Sequence, residues 1–477
     1  MSSIKKNFFY SSILTVSGYL FPLIVYPYIT RVLGVANIGA CNFVDSIVDY
    51  FILFSMLGIA TVGIREVAAA KGDPKVLKLC FNRLFSLNIL ITSVFAIIYV
   101  VLLLFLPQFQ DYRGLMSIGL IKLLFNTLLV EWFYKGLEQF KYITIRSVAV
   151  KFIYVVCVFL FVKNTEDFYV YYLLTAMMFV INALLNIKYI YSFTKIELSF
   201  NAICTYLKPV VNLGLYMLLT SMYISFNVIF LGLLSGDMEV GYYTSATKIY
   251  IVLLSVFTAF TGVMIPKLSF LVAEKRWADF NSLVAKSYDF LLGFSIPVII
   301  LAVVFAPQII SIVCGSGYEG AILPLRIIMP LIAIVGYEQI LILQILVPLK
   351  KDRAMLINSL IGAIVALSMN FFLVPVLQSV GSALVWVASE LMVLISAQYF
   401  VFRYTKFKLP YEKIMQHLVF AVPPLMLCLI LHKLDQLNIF TMVLSFFINL
   451  LYYAVIHVKY LKNDVIIELF LKLRLIK

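Results

Sequence analysis

The sequence predicts an all-α polytopic membrane protein with about fourteen transmembrane helices. Three observations lead to this fold class: the bulk composition, the length of the apolar runs and an internal repeat. Of the 477 residues, 63% are hydrophobic and only 13% are charged, whereas soluble domains carry about a quarter charged residues. The mean hydropathy of +1.04 points in the same direction. A chain of this composition is expected to place most of its length in a lipid bilayer.

The apolar runs are long enough to cross a membrane as helices. Three runs each supply about 18 residues or more of apolar sequence, enough for roughly 30 Å of hydrocarbon. They are Leu87–Leu106, Val170–Ile187, and Leu291–Ala306 together with the residues that lead into it. The N-terminal run, which extends to Val32, is too long for a signal-peptide core and lacks a small-residue cleavage site, so it is predicted to remain as the first helix. The approximate predicted spans are 8–32, 38–63, 84–106, 115–136, 143–162, 168–190, 210–234, 240–265, 288–306, 321–348, 354–375, 380–402, 414–431 and 438–458.

The basic residues assign the two sides of the membrane. The formal net charge is +14, but the charges lie between apolar runs, so topology explains them and no nucleic-acid partner is expected. Thirty of the 37 Lys and Arg, Arg146 and Lys151 among them, are assigned to one set of loops, four to the opposite set and three to the interior of predicted helices. Because basic loops mark the cytoplasmic side, both termini are predicted to be cytoplasmic. An even number of helices requires the same result.

No cofactor motif is recognisable in the sequence. The six cysteines are scattered without a C-x-x-C pair, and they are predicted to be packing residues. Gly315–Gly320 matches G-x-G-x-x-G, but no βαβ unit surrounds it, so a turn is predicted. There is no P-loop and no H-E-x-x-H, and the three histidines are far apart, so neither ATP nor a metal is expected. The cysteines are Cys41, Cys80, Cys157, Cys204, Cys314 and Cys428.

An internal repeat predicts two lobes. Phe105–Gln108 (FLPQ) follows the third predicted helix and is echoed by Phe305–Gln308 (FAPQ) after the ninth, while Gly39 is echoed by Gly241. Helices 1–6 and 7–12 are therefore predicted to be two copies of one unit with a central cavity at their interface, and helices 13 and 14 fall outside the repeat. The predicted domains are 1–195, 196–408 and 409–477, the last of which includes a cytoplasmic tail.

Five blocks of the sequence resemble Wzx-type polysaccharide flippases of the multidrug/oligosaccharidyl-lipid/polysaccharide exporter superfamily. The blocks cover nearly the whole chain in order, and the resemblance is weakest over the last sixty residues. The first three are more typical of the polysaccharide branch, and the fifth is shared across the superfamily. They are PYITRVLGVANIGACNF (27–43), LGIATVGIREVAAAKGD (57–73), EWFYKGLEQFKYITIRS (131–147), GYYTSATKIY (241–250) and NFFLVPVLQSVGSALVWVASE (370–390).

The resemblance implies a V-shaped, two-lobed transporter in the bacterial cytoplasmic membrane. Such a protein would turn an undecaprenyl-pyrophosphate-linked oligosaccharide repeat unit from the inner to the outer leaflet, for O-antigen, lipopolysaccharide or another surface polysaccharide. Its expected partners are this lipid-linked substrate, membrane lipids, a polysaccharide polymerase and glycosyltransferases. No cofactor is expected beyond a coupling ion, H⁺ or Na⁺.

Ionisable side chains inside the predicted helices are the candidates for substrate binding and translocation, because a charge in the bilayer is costly and marks a functional path. Asp45 and Asp49 share one helix face and repel each other, so either a cation lies opposite or one of them is protonated. Two hypotheses remain open: Lys248 faces them across the cavity, or each charge pairs within its own lobe. The candidates are Arg31, Asp45, Asp49, Lys122, Glu131, Lys248, Arg326, Glu338 and Glu390.

The depth of each basic candidate sets its expected role. Lys248 lies about 13 Å into its predicted helix, so it is predicted either to bind pyrophosphate or to form a buried salt bridge. Lys122 and Arg326 are shallower and could extend outward to water. Arg31 either receives the diphosphate near the outer leaflet or anchors the first helix at the interface.

Two of the acidic candidates also have alternative roles. Glu131 lies about 7 Å from the cytoplasmic end of the fourth predicted helix, beside Trp132, Phe133 and Tyr134. This block would form either an interfacial anchor with an aromatic belt, in which Glu131 pairs with Lys135 at i+4, or a gate at the inward mouth. Glu390 is either structural or proton-carrying.

Two other function classes are weighed against a flippase. A cation-coupled drug or metabolite antiporter of the same superfamily is disfavoured by the cationic candidates and by the polysaccharide-type blocks. A membrane glycan polymerase or ligase would need a large extracytoplasmic loop with catalytic residues, whereas the longest predicted outer loop, 307–320, carries only Glu319 as a charge. The chain is therefore predicted not to be an enzyme.

Overall fold

A computed structural model describes residues 3–199, 204–434 and 439–461, and these ranges contain seventeen α-helices and no β-strand. Short turns, three 3₁₀ segments and one π-helical segment (Ile340–Leu346) connect or extend the helices. The helices are α1 (Ser3–Met56), α2 (Ile59–Ala70), α3 (Pro74–Phe105), α4 (Arg113–Thr127), α5 (Glu131–Gly136), α6 (Phe140–Phe161), α7 (Phe168–Ile190), α8 (Cys204–Ile224), α9 (Phe226–Ser235), α10 (Asp237–Ala273), α11 (Trp277–Val304), α12 (Ala306–Val313), α13 (Ile322–Ile328), α14 (Leu331–Gln339), α15 (Asp352–Thr405), α16 (Tyr411–Leu434) and α17 (Ile439–Lys459).

Many of these helices can cross a membrane, which confirms the predicted all-α polytopic fold class. Within the described ranges, eleven helices are long and apolar enough, and a bent pair, Tyr206–Met222 with Phe226–Ser235, raises the number to twelve. Two of the eleven lie in α1 and α15, which have 54 residues each, or about 80 Å of helix in total at 1.5 Å per residue, and each consists of two helices joined at a kink. If α1 and α15 cross twice each, the total is the predicted fourteen, and that number stays a prediction.

Each of the two longest helices contains one residue with non-helical backbone angles. Gly34 (φ 76°, ψ 170°) interrupts α1 between the first and second predicted spans, and glycine adopts a positive φ without a steric penalty. Gln378 (φ 52°, ψ −125°) interrupts α15 between the eleventh and twelfth predicted spans, where a positive φ is uncommon for a residue with a Cβ. Both breaks fall where the sequence predicts a boundary between two helices.

The chain divides into two compact units, an N-terminal unit (Met1–Gly241) and a C-terminal unit (Tyr242–Lys477). In the C-terminal unit, α16 and α17 pack on α11 through a cluster that includes Ile300, Cys428 and Tyr453. The last two helices therefore belong to the core of this unit, although they lie outside the sequence repeat. The three predicted domain ranges stay a prediction, and the tail at 462–477 lies outside the described residues.

The short helix α5 places its aromatic side chains in the core of the N-terminal unit. The side chains of Trp132, Phe133 and Tyr134 are 0–2% exposed. The ring centroid of Phe81 on α3 lies 5.8 Å from that of Trp132 and 4.9 Å from that of Phe133. A Cβ added to Gly63 on α2 would overlap the Trp132 indole, so the close approach requires glycine there. These aromatics therefore pack inward between helices, which differs from the predicted belt at the membrane boundary.

The cysteines and the glycine-rich segment behave as predicted. The five cysteines whose side chains are described are all free, and four of them are buried, in keeping with a packing role. The Cys204 side chain lies outside the described part of the chain. Gly315 (φ 89°) and Gly317 (φ 84°) form a turn ahead of a 3₁₀ segment, Glu319–Ala321, which confirms the turn at Gly315–Gly320.

Candidate functional site

An ion pair between α1 and α4 lies inside the N-terminal unit. Lys122 Nζ donates to Asp45 Oδ1 at 2.6 Å, and the Lys122 side chain is only 3% exposed. Tyr172 on α7 completes the group, because its hydroxyl donates to Asp45 Oδ1 at 3.1 Å and its ring centroid lies 4.0 Å from Lys122 Nζ. The prediction that Lys122 extends outward to water is therefore wrong. A carboxylate from α1 lies within reach and binds the ammonium group in the protein interior.

Asp49 lies one turn beyond Asp45 on α1 and interacts electrostatically with both Asp45 and Lys122. The cation required opposite the two carboxylates is thus supplied by Lys122 of the same unit. For Asp45, the hypothesis of pairing within its own lobe is supported by this contact. Lys248 is half-buried on α10 in the C-terminal unit, about 17 Å along the helix from Asp237. Its pairing across the two units stays a prediction.

A second ion pair with a buried cation joins α5 and α6 in the N-terminal unit. Arg146 donates from Nη2 to Glu131 Oε1 at 2.8 Å, and its side chain is 3% exposed. Lys135 Nζ lies 3.2 Å from Glu131 Oε2, which confirms the predicted i+4 pair. Glu131 is therefore held between two cations, of which the sequence interpretation named only one.

The local fold around Glu131 is fixed by a tight turn and an amide. Val130 precedes α5 in the left-handed region (φ 40°, ψ 33°), which is unusual for a β-branched residue and orients Glu131 in the first turn. Asn186, fully buried on α7, accepts a hydrogen bond from Arg146 Nη1 and donates one to the Leu129 carbonyl. The same amide thus positions the guanidinium and the strained turn, as expected where surrounding contacts over-determine a strained backbone.

A cavity of about 280 Å³ opens beside this ion pair. Lys151 lies in its wall, about 17 Å along α6 from Phe140. A lysine at the centre of a membrane helix costs about 2.5–3.5 kcal/mol on translocon scales. Lys151 Nζ donates to Ser17 Oγ at 3.2 Å and forms no ion pair with any residue in the described ranges. The cavity is lined by Leu14, Leu129, Glu131, Arg146, Ser147, Lys151, Met178, Phe179 and Asn182.

The C-terminal unit contains a pair of buried carboxyl groups. Glu338 on α14 and Glu390 on α15 are 8% and 3% exposed, and their side chains lie within hydrogen-bond reach of each other. Trp386 Nε1 donates to Glu390 Oε1 at 3.0 Å, and the Tyr250 ring packs against the Trp386 ring at 5.0 Å. Glu338 Oε2 and the Tyr250 hydroxyl are buried without a hydrogen-bond partner among the described residues. A hydrogen bond between two carboxyl groups requires a proton on one of them.

The remaining two candidates lie apart from these clusters. Arg31 is exposed, and its Nη1 donates to the Pro27 carbonyl at 2.6 Å on the same helix. Arg326 is half-buried on α13, and its Nε donates to the Val303 carbonyl at 3.1 Å. Their predicted roles in the substrate path stay predictions. In the described parts of the chain, no group of three or more His, Cys, Asp or Glu residues could hold a metal ion.

Arg146 and Lys151 are the functional candidates that sequence reasoning missed. Both were assigned to a cytoplasmic loop because they follow Lys135 and Lys141, yet both lie in α6 and within the predicted span 143–162. Comparing each basic residue with the predicted spans would have identified them as intramembrane charges. No sequence signal identifies Asn186, Tyr172 or Trp386, since their roles depend on which helices pack together.

Comparisons with known proteins agree with this architecture. The sequence model of the family described as polysaccharide biosynthesis protein matches residues 4–272, more than half of the chain. The curated protein named "Putative O-antigen transporter" from Escherichia coli (strain K12) is 24% identical over 400 residues, which cover 82% of this chain and 95% of that protein. A protein of the same name from Shigella dysenteriae is 24% identical over 381 residues, covering 78% and 93% of the two chains.

Solved structures show the same fold. The inward closed conformation of the lipid II flippase MurJ superposes with a TM-score of 0.80 at 14% identity and covers 96% of this chain and 100% of that one. An outward-facing multidrug resistance MATE family transporter of the MOP superfamily gives a TM-score of 0.55 at 12% identity, covering 84% and 95% of the two chains. These relatives are transporters and flippases by name, in agreement with the prediction that the chain is not an enzyme. The match over more than half of the chain shows that this protein belongs to the family described as polysaccharide biosynthesis protein, in agreement with the resemblance of the sequence blocks to polysaccharide flippases.

Proposed function

We propose that this protein flips an undecaprenyl-pyrophosphate-linked oligosaccharide repeat unit from the inner to the outer leaflet of the bacterial cytoplasmic membrane. The similarity to proteins named as O-antigen transporters, over 95% and 93% of their lengths, carries the proposal. The fold shared with a lipid II flippase supports it. The surface polysaccharide made from the repeat unit would be an O-antigen or a related glycan.

The physical task is to move a diphosphate and a polar glycan across hydrocarbon. Unshielded charges and hydroxyl groups in that medium cost many kcal/mol, so the path needs water, cations and polar side chains. The N-terminal unit offers Arg146 and Lys151 beside a cavity, and the C-terminal unit offers Lys248 on α10. In the proposed cycle, alternating access exposes these groups first to one leaflet and then to the other.

We further propose that the transport cycle is coupled to protons at Glu338 and Glu390. Two buried carboxyl groups that contact each other are suited to holding one proton between them. Release of that proton would leave two adjacent buried carboxylates that repel, a state that favours a different arrangement of α14 and α15. Binding and release of the proton could thus be linked to a conformational change. Sodium coupling is the alternative.

The orientation and partners follow from the same proposal. Both termini would be cytoplasmic, as the distribution of lysine and arginine predicts. The substrate would come from glycosyltransferases at the inner leaflet and pass to a polysaccharide polymerase after translocation. A cation-coupled drug or metabolite antiporter is the second candidate, and the likeness to the MATE transporter, with a TM-score of 0.55, favours it at the level of fold.

Reconstitution tests the proposal directly. The full-length protein is placed in liposomes that carry a fluorescent lipid-linked oligosaccharide, and the label in the outer leaflet is quenched with an impermeant reagent. We expect the protein to increase the rate at which label moves between leaflets above that of protein-free liposomes, and an imposed proton gradient to change that rate. Failure to move the labelled lipid, together with proton-driven export of a cationic dye, would favour the antiporter.

A further inference from the structure

We infer that the cavity bounded by α1, α5, α6 and α7 in the N-terminal unit binds the phosphate group of a lipid, with Arg146 and Lys151 as its cations. This inference rests on the proposed function and names a binding site for the charged end of its substrate. The site is built from residues of one unit only.

The charge of the cavity wall favours an anion. Two cations, Arg146 and Lys151, and one carboxylate, Glu131, line it. Both oxygens of Glu131 are already engaged, Oε1 by Arg146 and Oε2 by Lys135. Lys151 is thus the cation in excess: its Nζ donates to a neutral serine hydroxyl, Glu131 acts on it only at longer range, and no carboxylate among the described residues forms an ion pair with it. An anion in the cavity would supply the missing counter-charge.

The hydrogen-bonding groups in the wall also suit a phosphate. Arg146 is 3% exposed, and its Nε is buried without a hydrogen-bond partner among the described residues. Leaving a buried N–H of a charged group without a hydrogen bond is costly. Lysine binds phosphate as a point charge, and arginine binds it through several N–H groups. Ser147, also in the cavity wall, adds a hydroxyl group.

The apolar part of the lining indicates that the phosphate is carried on a lipid. Four apolar side chains complete the wall: Leu14 on α1, Leu129 before α5, and Met178 and Phe179 on α7. A volume of about 280 Å³ accommodates a phosphate or diphosphate with the first carbons of a chain. Basic pockets between transmembrane helices bind lipid head groups in this manner. The phosphate could belong to an isoprenoid diphosphate or to a bulk phospholipid, and the experiment separates the two.

The test measures binding to the full-length purified protein with three probes: farnesyl diphosphate, inorganic pyrophosphate and phosphatidylglycerol presented in nanodiscs. Lys151→Met removes the charge but keeps an unbranched side chain of nearly the same length, and Lys151→Arg keeps the charge. Lys163→Met is the matched control, because Lys163 is an exposed lysine just beyond the end of α6 and outside the cavity. Melting temperature and membrane abundance verify that each variant folds.

We expect Lys151→Met to bind farnesyl diphosphate about tenfold more weakly, while Lys151→Arg and Lys163→Met stay within about threefold of the wild type. Weaker binding confined to phosphatidylglycerol would also support a lipid-phosphate site and would identify a bulk phospholipid as its ligand. Weaker binding of inorganic pyrophosphate alone would contradict the lipid part of the inference. A folded Lys151→Met protein that binds all three probes like the wild type would overturn the inference.

The flipping assay separates this inference from the proposed function. If the wild type moves the labelled oligosaccharide lipid and Lys151→Met binds and moves it equally well, the cavity is not the phosphate site, and the proposed function stands. If the wild type moves no lipid-linked oligosaccharide, the proposed function fails independently of how Lys151 behaves.

Discussion

The two units of the protein neutralise their buried charges in different ways. In the N-terminal unit, buried cations bind carboxylates: Lys122 contacts Asp45, and Arg146 contacts Glu131. In the C-terminal unit, Glu338 and Glu390 are buried against each other, with Trp386 as a neutral donor. An ion pair is neutral without a proton, whereas a carboxyl pair needs one to avoid repulsion. The comparison suggests that the N-terminal pairs are suited to holding helices together and that the C-terminal pair is suited to exchanging a proton.

Removal of Arg146 is expected to have the largest effect on stability. Arg146→Leu would abolish contacts to Glu131 and Asn186 and leave Glu131 with Lys135 as its partner. Breaking a buried pair costs about 3–5 kcal/mol, and the lower end applies because Glu131 is one-third exposed. We expect low membrane abundance and a melting temperature reduced by several degrees. Arg113→Leu, at an exposed arginine, is the control, and equal melting temperatures of the two variants would contradict this prediction.

Removal of Lys122 is expected to have an intermediate effect that a second substitution reverses. Lys122→Met leaves Asp45 and Asp49 without their shared cation, but Asp45 is 43% exposed, so the cost is smaller, about 2 kcal/mol. Adding Asp45→Asn removes the repulsion between the two aspartates and should recover at least half of the lost stability. The measurement is a double-mutant cycle on the melting temperature. Additive losses would show that Lys122 and Asp45 are not energetically coupled.

The sequence predicted the helical elements better than it predicted the clusters, for a physical reason. Apolar runs about twenty residues long determine which segments can span a bilayer, and this property depends on composition alone. The contact between Lys122 and Asp45 depends on the packing of α4 against α1, and the inward direction of Trp132 depends on the packing of α5 against Gly63 of α2 and Phe81 of α3. Neither is encoded in the local pattern. The i+4 pair of Glu131 and Lys135 was predictable because both residues lie on one short helix.

Substitution within the carboxyl pair is expected to have the smallest effect on stability and to separate stability from transport. Glu338→Gln keeps the size of the side chain and a donor toward Glu390, so the free energy of unfolding should change by less than about 1 kcal/mol. The same change removes the group that would hold the shared proton. We therefore expect normal abundance and melting temperature, together with loss of the response of lipid flipping to an imposed proton gradient.

The partner substitution and the N-terminal unit provide the controls for this last prediction. Glu390→Gln should have the same effect on coupling, because either carboxyl group alone lacks the repulsion that drives proton release. Asp49→Asn, in the other acidic group, should leave the response to the gradient in place, since Asp49 interacts with Asp45 and also with Lys122, whose positive charge offsets the repulsion between the two carboxylates. If Glu338→Gln and Glu390→Gln both flip lipid with an unchanged response to the gradient, the carboxyl pair is structural. The contrast between the two units would then concern packing and not proton exchange.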